Sequence, residues 1–126
     1  MPDRNDNAEA LLAKYGIHYP RCGAWFGPGW THIVEKLIED LIAAGWDKQL
    51  EQVKEKYGTL RFYVGSASDE MYELIRKAEG ASARTCEECG AEGNNRAWYA
   101  NWYITLCQPC GKKHIAKCKA EDAKYE

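Results

Sequence analysis

Two Cys-x-x-Cys pairs, Cys86/Cys89 and Cys107/Cys110, stand seventeen residues apart near the end of a 126-residue chain. No other feature constrains the fold as tightly. Four thiols at the spacing C-x2-C-x17-C-x2-C meet at one tetrahedral metal ion when the chain between them folds back on itself. Gly90 follows the first pair directly and tolerates the left-handed backbone that a ligand-bearing turn needs. Between the pairs, "NNRAWYANWYITL" offers a turn flanked by strand residues, which predicts a loose hairpin. After Cys110, "GKKHIAKCKAEDAKYE" predicts a helix. A knuckle, a hairpin and ligands at a helix start describe a treble-clef-like module. A two-knuckle zinc ribbon has the same spacing.

Two other uses of the thiols compete with a structural zinc ion. "WYITLCQPCGKKH" runs strand, C-x-P-C, helix, as in a thioredoxin-type dithiol whose thiolate sits at a helix N-terminus. That chemistry needs one pair and a complete βαβ frame, whereas this chain has a second pair at ligand spacing and few strands. Catalytic zinc needs an open coordination position and usually His or carboxylate ligands, and four thiolates close the shell. His114 and Cys118 follow Cys110 on one helical stripe and are alternative ligands; the plainer reading makes them ordinary helix residues. Cys22 reads as an apolar filler beside Trp25 and Trp30. A His-Asn-His nuclease needs a His on the hairpin, and the only histidines are His18, His32 and His114. No catalytic residue is assigned.

The preceding 83 residues predict an α+β body. "AEALLAKYG" (8–16) reads as a short helix stopped by Gly16. "IHYPRCGAWFGPGW" reads as a structured loop laid on the core, because Gly and Pro forbid regular structure while Trp25, Phe26 and Trp30 are costly to expose. In "THIVEKLIEDLIAAG", Ile33, Val34, Leu37, Ile38, Leu41 and Ile42 recur at helical spacing, with Thr31 as the expected cap and Gly45 as the stop. Glu35, Glu39 and Asp40 form its solvated face. "LEQVKEKYGTLRFYVG" alternates and predicts a β-hairpin turning at Tyr57-Gly58-Thr59. "SASDEMYELIRKAEGAS" predicts a second helix capped by Ser68 with Met71, Leu74, Ile75 and Ala78 inward. The chain thus divides into an α+β body (1–83), with helices on one face of a short sheet, and a zinc-finger module (84–126).

Charge is uneven. Residues 1–93 carry 11 basic and 16 acidic side chains (−5), and residues 94–126 carry 6 and 3 (+3). Arg96, Lys112, Lys113, Lys117 and Lys119 lie in a stretch free of carboxylates, beside Trp98, Tyr99, Trp102 and Tyr103. Basic residues interleaved with aromatics suit single-stranded DNA or RNA, and exposed Trp and Tyr equally suit a protein partner. A tetrathiolate zinc site would add −2 and cancel much of that excess nearby. No apolar run reaches the ~18 residues of a membrane span, and "MPDRNDNAEA" lacks the apolar core of a signal peptide. These features place the chain in a cytoplasm, where thiols stay reduced and six cysteines argue for metal.

The strings "RCGAWFGPGW", "QVKEKYGTLRFYV", "AEGASARTCEECGAEG" and "WYITLC" together resemble a family of small, mostly uncharacterised bacteriophage and prophage proteins. The likeness runs over residues 20–110; the segments on either side do not follow the pattern. Relatives often close the second pair with His, where this chain has Cys110. The resemblance implies phage origin, a zinc finger packed on an α+β body, and action in a bacterial cytoplasm. It brings no activity with it. By analogy with other small phage proteins, the expected partner is a host or defence protein.

Overall fold

A computed structural model describes residues 4–17 and 23–124. Cys22 and His18 lie outside the described residues. The architecture is α+β, with four helices and two separate antiparallel hairpins among the described residues. No helix there is long and apolar enough to cross a membrane.

Helix α1 (Arg4–Lys14) begins earlier than its apolar residues suggested. It buries Ala8, Leu11 and Leu12, and Gly16 ends it at φ +70°. Lys14 Nζ reaches Glu35 at 2.6 Å, and the Tyr15 hydroxyl donates to Glu39 at 2.7 Å. The expected solvated face of the next helix therefore also anchors α1. The Glu39 carboxylate holds the Tyr15 phenol protonated well above its usual range, and Lys14 holds Glu35 below its own. Both pairs are exposed and add little to stability.

Helix α2 (Thr31–Ala43) corrects one expectation. Thr31 is not its cap. A 3-10 turn at Pro28–Trp30 runs straight into α2, so the unsatisfied N–H groups of this composite helix begin upstream of Thr31. The Thr31 hydroxyl instead accepts a hydrogen bond from Asn7 Nδ2 at 2.9 Å. Gly45, at φ +96°, closes the helix as expected.

Strands β1 (Leu50–Lys56) and β2 (Thr59–Val64) pair around a two-residue turn, Tyr57-Gly58, with φ +54° and +80°. Two positive φ values match the right-handed twist of a hairpin. The pairs Val53/Phe62 and Glu55/Leu60 face inward, and all four residues are buried. Helix α3 (Asp69–Ser82) starts on Ser68, whose hydroxyl accepts from the Met71 N–H. It packs along the outer edge of β2. Ser82 Oγ accepts the Leu60 N–H at 2.8 Å and Glu79 Oε2 accepts the Phe62 N–H at 3.1 Å. Opposite, residues 23–25 line the β1 edge, with the Trp25 N–H donating to Val53 O at 2.9 Å. Both edges are closed. Ser82→Ala leaves the buried Leu60 N–H without its acceptor and is expected to cost about 1–3 kcal/mol, read as a lowered urea midpoint at unchanged m-value.

One apolar cluster unites α1, Phe26, Trp30, α2, Trp46, the inner hairpin face and α3. A second, small cluster holds Cys86, Trp98, Ile104 and Leu106, with Cys107, Cys110 and Ile115 against it. It lies between strands β3 (Asn94–Tyr99) and β4 (Trp102–Leu106) and helix α4 (Gln108–Ala123).

Candidate metal centre

Cys86 follows the β-bridge residue Thr85, and its N–H donates to Ala91 O at 2.7 Å. The Gly90 N–H returns to Cys86 O at 2.9 Å with Gly90 at φ +82°. That tight turn brings Cys89 beside Cys86. Strand β4 ends at Leu106, and Cys107 caps α4, which places Cys110 in its first turn. The four sulfurs lie within 4.8 Å of one another, and Cys89 and Cys107 are 3.5 Å apart. Metal–sulfur bonds of ~2.3 Å in a tetrahedron require sulfur separations of about 3.8 Å, so the donor set fits one divalent ion. His114 and Cys118 stand apart, with Cys118 Sγ 3.6 Å from His114 Nε2. Neither joins the cluster.

The thiols do not share their protons evenly. The Cys110 N–H at the start of α4 pulls the Cys107 thiol down to about 7, against the opposing effect of burial. Burial, then the Cys107 sulfur, pushes Cys110 far up. At Cys89 the Ala91 N–H favours the thiolate, but the Cys107 contact and burial outweigh it and raise the thiol. One site thus favours negative charge while its neighbours resist adding more. A divalent cation relieves that conflict by replacing the thiol protons and offsetting two of the four thiolate charges.

The knuckle is locked to the body by a residue that sequence reasoning missed. Glu87, between the first two cysteines, is fully buried. Its Oε2 accepts the Gly27 N–H at 3.0 Å, and its carbonyl accepts the Gly29 N–H at 2.6 Å. These amides stand at the N-terminus of the composite helix, so Glu87 caps it in place of Thr31. The Trp30 indole N–H donates to Thr85 O at 2.8 Å. On the other side, Thr105 Oγ1 donates to Gly58 O at 2.6 Å and Asn95 Nδ2 to Tyr57 O at 3.1 Å. The Trp/Gly/Pro loop and the β1–β2 turn are therefore the two landing points of the cysteine module. In sequence, only a carboxylate flanked by ligands hinted at Glu87.

The structure separates the candidate contact residues. Trp98 is a correction, since it is only 5% exposed. Its ring lies over Gly111, where any Cβ would overlap it, and its indole N–H donates to Asn94 O. Arg96 is exposed but stacks its guanidinium 4.4 Å above that ring. Tyr99 is half-buried and its hydroxyl pairs with Asp122. Trp102, 61% exposed, and Tyr103, 50% exposed, remain on the surface beside the Ala100–Asn101 turn. The edge of Trp102 meets His114 at 6.0 Å. Lys112, Lys113, Lys117 and Lys119 are all exposed on α4. No family model, curated protein or solved structure matches the chain.

Proposed function

We propose that this is a non-enzymatic, phage-type binding protein of the bacterial cytoplasm, in which one structural zinc ion shapes a treble-clef-like module that docks a host or defence protein. The observation that carries it is the exposure of Trp102 and Tyr103 at the free end of a hairpin whose other end leads into four clustered sulfurs. Zinc suits the donor set because it accepts four thiolates tetrahedrally and has no redox chemistry of its own. A closed sulfur shell offers substrate no position, which supports a structural role. The knuckle, hairpin and helix follow one another in treble-clef order. The phage-family resemblance of the sequence supports the origin and the compartment.

The test is capture from bacterial lysate with tagged wild-type protein beside Trp102→Ala, quantified by mass spectrometry. One protein held near 1:1 by the wild type, and weakened about 30-fold or more by Trp102→Ala, is the expected result. Equal capture by both, or no enriched protein, overturns the reading. Trp102 is 61% exposed, so its truncation removes little buried surface and the variant keeps its fold. The second reading, nucleic acid held by the module, draws on the four exposed lysines of α4, although Glu121 and Asp122 share that helix.

A further inference from the structure

The body is acidic in sum, yet pairing collects its cations. In a strand, alternate residues share a face, and residues directly opposite across a hairpin share it too. Val53, Glu55, Leu60 and Phe62 take the inner face of the β1–β2 hairpin. The pairs Lys56/Thr59, Lys54/Arg61 and Gln52/Tyr63 therefore take the outer one. Three cations stand there together, and Lys54 lies directly opposite Arg61. Like charges in that position destabilise a hairpin. Among the described residues neither Lys54 nor Arg61 has an ion pair, and Arg61 Nε is buried without a hydrogen-bond partner.

Tyrosines bracket these cations. Tyr57 at the turn is 69% exposed, with Lys56 Nζ 5.7 Å from its ring centre. Tyr63 at the other end is 43% exposed. Tyr72 of α3 is 41% exposed, across a groove of about 280 Å³ between β2 and α3. Glu79, the carboxylate that lines this groove, accepts the Phe62 N–H, and Arg76, which also lines it, pairs with Glu73 at 2.5 Å. A peptide cannot add as a strand, because Ser82, Glu79 and residues 23–25 already occupy both edges. What stays accessible is the outer face, where Lys56 and Tyr63 are exposed and Lys54 and Arg61 half-buried, with π-surfaces at its ends and positive charge between them. Bases stack on the former and phosphates pair with the latter.

We propose that the outer face of the β1–β2 hairpin is a docking surface for single-stranded nucleic acid, with Lys54, Lys56 and Arg61 on the phosphates and Tyr57, Tyr63 and Tyr72 as stacking platforms. This surface is separate from the Trp102 tip and from the lysines of α4. Three phosphate contacts give a slope of about −2 in log K against log salt, and non-specific affinities near roughly 10⁻⁴–10⁻⁶ M at physiological salt.

The experiment is fluorescence anisotropy of labelled 15-nucleotide oligothymidine and oligouridine across a salt series, using the metal-loaded full chain. Binding with that slope, weakened about tenfold by Tyr63→Ala and more by Lys54→Glu/Arg61→Glu, is expected. Lys112→Glu/Lys113→Glu and Trp102→Ala leave it within twofold. Amide chemical-shift mapping of the wild type with oligothymidine, expected to centre on residues 54–63, tests the site without any variant. Absence of binding at low salt overturns the proposal. So does loss of binding in Lys112→Glu/Lys113→Glu alone, which assigns the strand to α4. Equal or tighter binding of a same-length duplex, or of a polyglutamate peptide of equal charge, also overturns it. Because Trp102→Ala is neutral here, failure of this proposal and failure of the protein-docking reading give different results.

Discussion

Stripping the proposed zinc with a chelator will unfold the segment from Thr85 to the end of α4 while α1, α2 and α3 persist. The magnitudes decide this. The module's own core holds four buried residues, Cys86, Trp98, Ile104 and Leu106. Burial of each contributes ~1.5–3 kcal/mol at most. Four side chains cannot offset the backbone entropy of ordering a segment of this length. Structural zinc adds an apparent ~10–16 kcal/mol in finger peptides, at least as much as that whole core supplies. The body keeps its own larger cluster and needs no ion. Amide spectra should therefore lose dispersion for residues 85–123 on chelation and regain it when zinc returns. Partial loosening should reach Trp30, because its indole donates to Thr85 O. A chelated protein with all its native amide peaks would contradict this result.

Gly29→Ala will damage the same junction from the body side. A Cβ on Gly29 would overlap Cys86 O and stand 2.6 Å from Gly90 N and 2.7 Å from the Glu87 carbonyl carbon. All are backbone atoms of the knuckle and cannot rotate away. Relief requires the knuckle to lift off the loop, which breaks the Gly29 N–H to Glu87 O bond. The expected cost is about 3 kcal/mol or more, at the upper end for overpacking, and a Tm lower by roughly 10 °C. Metal should also leave faster under chelator. Gly80→Ala is the matched control. Gly80 lies within α3 with nothing within 4 Å of an added Cβ, so the change should be neutral or stabilising by up to ~1 kcal/mol. If Gly29→Ala melts like Gly80→Ala, the junction is not tight.

Much of the local structure was legible because it depends on near neighbours. Helical periodicity located α2 and α3, Ser68 announced its cap, and Tyr57-Gly58 announced the hairpin turn. Ligand spacing located the cysteine cluster because four thiols two and seventeen residues apart have few other uses. What sequence hid was long-range. Thr31 looked like a cap, but the helical turn before it moved the free amides upstream, toward Glu87 nearly sixty residues away. Trp98 and Trp102 looked alike, yet a register shift between Ala97 and Tyr99 and the bare surface of Gly111 buried one and left the other outside. Net charge pointed to the C-terminal segment as the basic part. Hairpin register instead gathers three cations on one face of the acidic half, since only pairing decides which side chains become neighbours.

In the proposed protein one metal ion, held by four sulfurs, staples this module together. The most direct measurement is X-ray absorption at the zinc edge on the purified, unchelated protein, with metal content determined on the same sample. One zinc per chain, with four sulfur neighbours at about 2.3 Å and no nitrogen or oxygen in the first shell, is the predicted result. A folded protein with no bound metal, or with a shell that includes nitrogen, oxygen or an exchangeable water, would contradict it.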